Sequence, residues 1–189
     1  MREKVFFRKA PFVRRKLDKP ILIVGLMGVG KTSIGKSLAR ALGLAFDDTD
    51  SLIELSSGGL SIVEIFSLYG EDVYRQKEEK FLQGFLGDVE KQVVSTGEGG
   101  FLYDSIRKLA KEKFITIWLK GDLNVLVDRT SRRDTRPLLL NENIEEVLSK
   151  LEKERYSLYK EADIHIDVDG FSKQKTVKKI LSELDSFLG

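Results

Sequence analysis

PILIVGLMGVGKTSIGKSLARALG, residues 20–43, contains a strand, a loop and a helix in succession. The run ILIV is apolar without alternation, as in a short strand buried on both faces. Gly25 is followed by four residues and then by Gly30-Lys31-Thr32, the spacing of a phosphate-binding loop in the context that motif requires. From Lys31 onward apolar residues recur at helical spacing, and Gly43 is a good helix terminator. Backbone N–H groups of Gly28, Val29, Gly30, Lys31, Thr32 and Ser33 would surround phosphates at the helix N-terminus. Lys31 would reach the β- and γ-phosphates, and the Thr32 hydroxyl would ligate Mg2+. The segment thus predicts a nucleoside triphosphate site.

The rest of the chain continues this alternation. LAFDD reads as a second strand, and the pattern from Asp50 to about Leu86 as helical, broken at SSGG and Gly70. QVVST, FITIWL and DIHIDV read as further strands, with helices between them and a closing helix in KTVKKILSELDSFL. Strands alternating with helices predict an α/β fold, a parallel sheet covered on both faces. His165 in DIHIDV has no partner at metal or triad spacing and is expected to be structural, as is Trp118.

With 189 residues, 41% hydrophobic and 33% charged, the chain has the length and composition of one globular domain. Its longest apolar run falls short of the roughly 20 residues of a membrane span. Cysteine is absent and histidine occurs once, so any metal must be held by oxygen, which suits magnesium. The first 19 residues carry eight basic side chains against two acids, a surplus of +6 that leaves −4 on the remainder of a +2 chain. Residues 1–19 are expected to be a solvated basic extension, and 20–189 a single domain. The extension is also the only feature suggesting nucleic acid, and it has no aromatic platform, so no nucleic-acid partner is expected.

Asp48 and Asp50 in FDDTD fit two readings. They cap the next helix, or they serve a hydrated magnesium (Asp48) and a substrate hydroxyl (Asp50). Six segments, GLMGVGKTSIGKSLA, FDDTDSLIE, SIVEIFSLYGEDVYRQKEE, STGEGG, TRPLL and KERYSLY, occur in the order found in shikimate kinases. Over about 21–168 the chain resembles that family. The resemblance implies a three-layer α/β/α P-loop kinase of the nucleoside monophosphate kinase type. Its parts are a five-stranded parallel sheet, a helical substrate region at about 48–86 and a mobile lid at about 130–143. It further implies a cytoplasmic enzyme of chorismate and aromatic amino acid biosynthesis, expected to be a monomer, that phosphorylates the 3-hydroxyl of shikimate with ATP.

The resemblance also assigns roles. Asp48 belongs to the magnesium environment together with Thr32, and Asp50 to the substrate hydroxyls as candidate base, with Lys31 and Arg136 as its catalytic companions. Arg75 and Arg155 match the arginines that hold the substrate carboxylate, for which guanidinium groups are better suited than lysine. Arg129 matches the arginine against adenine, and Arg136 the lid arginine on the transferring phosphoryl group, whereas Arg132 and Arg133 read as surface charges.

One segment departs from the family pattern. Its Gly-Gly-Gly loop stands here as Gly97-Glu98-Gly99, with a register shifted to Gly99-Gly100 as the alternative. A glutamate there raises two expectations: backbone strain if the place needs φ > 0, and repulsion of an anionic substrate. The alternatives to a shikimate kinase are a nucleotide-binding relative without catalysis, and a kinase for another small hydroxy acid such as gluconate.

Overall fold

Four apolar residues, Ile21–Val24, form β1, and all are buried. In this computed structural model residues 7–131 and 143–189 are described. β1 lies at the centre of a five-stranded sheet with β3 (Val93–Ser95) on one side and β4 (Ile115–Lys120) on the other. Leu22 is flanked by Val94 and Thr116, and every pairing in the sheet is parallel. β2 (Phe46–Asp48) and β5 (Ile164–Asp167) are the edges, giving the order β2-β3-β1-β4-β5. In β5 Ile164 and Ile166 point inward while His165 and Asp167 face outward, as expected of an edge strand with one covered face. His165 Nε2 lies 3.0 Å from the Ala162 carbonyl and its ring meets Trp118 edge-on, the structural role expected for both residues.

Helices α2 (Lys31–Leu42), α3 (Thr49–Ser56), α4 (Ile62–Gly87) and α5 (Asp104–Lys113) connect the first four strands. α6 (Leu123–Thr130) and α7 (Ile144–Tyr159) lead to β5, and α8 (Lys173–Phe187) closes the chain. α4 starts at a Ser61–Glu64 capping box and is interrupted at Gly70, whose φ of 79° and ψ of 167° leave the helical region. Thus the expected breaks at 56–59 and at Gly70 are both found.

The N-terminal segment differs from the expected solvated arm. Ala10–Lys16 form a helix, α1, with Pro11 in its first turn, packed against α2 and α8. Ala10, Val13 and Leu17 are at most 3% exposed. Their spacing of three and four residues makes one apolar stripe, and the basic residues between them occupy the other faces. Lys16 and the N-cap residue Lys9 reach Asp185 of α8 at 3.4 and 3.1 Å.

Candidate active site

The strand order reverses between β1 and β3, and in a parallel α/β sheet the crevice at the carboxyl ends of such strands is where ligands bind. Two loops meet there: residues 25–30 after β1 and residues 96–99 after β3. In the first, Gly30 is the N-cap of α2 with φ 98°, a left-handed conformation suited to glycine. No side chain caps this helix and no acid occupies its first turn, so its positive end is unopposed by its own sequence. Lys31 is 8% exposed, and its Nζ donates to the carbonyls of Gly25 at 2.8 Å and Leu26 at 3.1 Å. Gly28, Gly30, Lys31, Thr32, Ser33, Asp48, Asp50 and Arg129, expected from sequence, line one cleft of about 590 Å3. Val29 does not; its side chain is buried in the core, so only its backbone belongs to the loop.

Asp48 uses its two oxygens differently. Oδ1 accepts from the Asp50 backbone N–H at 3.2 Å and caps α3. Oδ2 accepts from the hydroxyls of Thr32 at 2.7 Å and Ser95 at 2.8 Å. The capping reading of this acid is therefore realised. A hydroxyl and a carboxylate oxygen side by side at the phosphate loop are hard donors of the kind magnesium takes.

Asp50, in the first turn of α3, joins this cleft to the second loop. A Cβ on Gly97 would run into the Asp50 carboxylate, and one on Gly99 into the Arg75 guanidinium. None of Gly97, Gly99 and Gly100 has a positive φ; Gly99 has φ −84°. The loop thus needs glycine at 97 and 99 for close approach rather than for backbone freedom.

Arg75 projects from α4 and is held by Glu78 at 2.8 Å and Glu71 at 3.2 Å. Burial alone would lower its pKa, but the bonded Glu78 carboxylate, followed by Glu98, more than reverses that, so the pKa is raised and the guanidinium stays charged. Glu78 is 1% exposed and also accepts from Tyr74 at 3.1 Å and Tyr103 at 2.7 Å. Burial first and the Glu78 charge second push both phenols up, so both remain donors.

Arg155 lies on the other side, on α7, 5% exposed, and its Nη1 has no hydrogen-bond partner among the described residues. One turn later Tyr159 donates to the backbone carbonyl of Glu98 at 2.8 Å. Burial raises the Tyr159 phenol against the opposing pull of Arg155. The 97–99 loop is thereby tied to α3, α4 and α7.

Comparison with known proteins matches residues 27–185 to the shikimate kinase family model. The chain is 38% identical over 179 residues to the shikimate kinase of Novosphingobium aromaticivorans, covering 93% of this chain and 92% of that one. The chain belongs to the shikimate kinase family. A second member, from Caulobacter vibrioides, is 40% identical over 166 residues, 88% of this chain and 82% of its own. Among solved structures, the shikimate kinase from Acinetobacter baumannii in complex with shikimate has a TM-score of 0.84 at 34% identity, covering 89% of this chain and 93% of that one. A gluconokinase from Sinorhizobium meliloti, with a TM-score of 0.54 at 18% identity, shares the fold alone.

Glu78, Tyr103 and Tyr159, which sequence reasoning missed, surround Arg75 and the 97–99 loop. Glu78 follows Arg75 by three residues and Tyr74 by four, so helical spacing could have revealed it. Tyr159 follows Arg155 by four residues and carried the same signal, whereas Tyr103 carried none. Arg136, Arg132, Arg133 and most of the expected lid lie outside the described residues.

Proposed function

We propose that this chain moves the γ-phosphoryl group of ATP onto the 3-hydroxyl of shikimate, giving shikimate 3-phosphate and ADP. The observation that carries the reading is the position of Asp50, which lines the phosphate-loop cleft and lies against Gly97 of the second loop. A group shared by both halves is suited to accept the proton of a hydroxyl held between them.

In this account the N-terminus of α2 and Lys31 hold the phosphates, Lys31 exchanging its two carbonyl partners for phosphate oxygens. Magnesium would be held by Thr32 directly and by Asp48 through water, and would neutralise phosphate charge. Arg129, at the cleft wall, would lie against adenine. Arg75 and Arg155 hold the substrate carboxylate from α4 and α7, and Glu78 with its two tyrosines fixes the direction of Arg75. Arg136 is assigned to the transferring phosphoryl group on its motif alone. The working unit in this reading is a monomer, and the biosynthetic role implies the cytoplasm.

The test is ADP release from Mg-ATP with and without shikimate. Release that depends on shikimate is expected. Release that ignores shikimate would mean simple hydrolysis, and tight nucleotide binding with no release would favour a non-catalytic relative.

A further inference from the structure

Glu98 stands between two glycines that touch functional groups, Gly97 against Asp50 and Gly99 against Arg75. Its own carbonyl is held by Tyr159, one helical turn beyond Arg155. The residue is half-buried, so its side chain leaves a loop clamped between the helices that carry the two arginines.

We propose that Glu98 is a specificity-determining residue that competes with the substrate carboxylate for Arg75, so that binding exchanges one carboxylate for another. The inference rests on the assignment of Arg75 to the substrate carboxylate. The Glu98 charge is felt on both sides of the loop: after Glu78 it helps keep Arg75 on α4 charged, and after burial it helps push up the Tyr159 phenol on α7. Arg75 already faces Glu71 and Glu78, so Glu98 adds a third carboxylate to its surroundings. An incoming anion therefore meets a partly neutralised Arg75, and its attraction is reduced by a like charge in a half-desolvated pocket. A ligand of the same shape without the carboxylate escapes this penalty. Glu98 thus makes binding of the acid weaker and more easily reversed.

The experiment measures affinity for shikimate and for its neutral methyl ester by calorimetry, and KM values by ADP release, in wild type, Glu98→Gln and Glu98→Asp. Glu98→Gln is expected to tighten shikimate binding about tenfold. Ester affinity and the KM for ATP should stay within about twofold of wild type. Glu98→Asp, which keeps the charge, should stay close to wild type. Equal shifts for acid and ester would assign Glu98 a structural role and overturn the proposal, as would unchanged or weaker shikimate binding in Glu98→Gln. Tighter binding without turnover in wild type would defeat the phosphotransfer reading and leave this one standing. No shikimate binding by any of the three proteins would defeat both.

Discussion

A single carboxylate, Asp50, carries the greatest chemical demand in the proposed site, and its neighbours restrict what can replace it. Asp50→Asn keeps the size and the helical position while removing the basic oxygen. Transfer to shikimate should fall on the order of 10²–10⁴-fold, the range of a lost general base. Nucleotide affinity, measured by titration with ATP, should be nearly intact, and unchanged turnover would remove Asp50 from the mechanism. Gly99→Ala tests the loop instead. Its new methyl group must displace the Arg75 guanidinium, so shikimate affinity should fall while ATP affinity stays. A Gly99→Ala enzyme with wild-type shikimate affinity would show that Arg75 does not depend on that close approach. At this scale the sequence was informative where a motif fixes the backbone, as at Lys31 and Thr32. It was silent where distant segments meet, as where Tyr103 reaches Glu78.

The elements show the same division. β1, α2 and the interruption of α4 at Gly70 follow from local chemistry: an unbroken apolar run, a glycine loop before a helical stripe, a glycine outside helical φ/ψ. α1 is not read from sequence because the eight-to-two excess of basic side chains over residues 1–19 hides the spacing of Ala10, Val13 and Leu17. That stripe makes α1 part of the core, and Leu17→Ala should destabilise the protein by about 2–5 kcal/mol in urea unfolding. A change below the error of the titration would return the segment to the status of a loose arm. The contact with α8 has a pH signature. Hydrogen bonding from Lys9 first, then Lys16, holds the Asp185 carboxyl below its ordinary value. A lowered folded-state pKa gives stability that is present above the unfolded value near about 3.9 and is lost as pH falls through the folded one. Asp185→Asn should therefore flatten the stability profile below about pH 4. An unchanged acid limb would show that the ion pairs are not formed in solution.

For the molecule as a whole, the reversal of strand order between β1 and β3 brings the nucleotide loop and the 97–99 loop to one edge, with α4 and α7 on either side. The parallel sheet was legible from the alternation of strands and helices, and the order of six motifs agrees with the family match over 27–185. What the sequence could not supply was whether Glu98 spoils the second loop. The geometry shows the close approach to be at its neighbours, Gly97 against Asp50 and Gly99 against Arg75. The central claim is transfer to one hydroxyl of shikimate, and phosphorus–proton correlation NMR of the reaction mixture tests it most directly. The account predicts a single new phosphate ester whose phosphorus couples to the proton on C3, formed in step with ADP. Inorganic phosphate as the only product, or an ester on another hydroxyl, would contradict it.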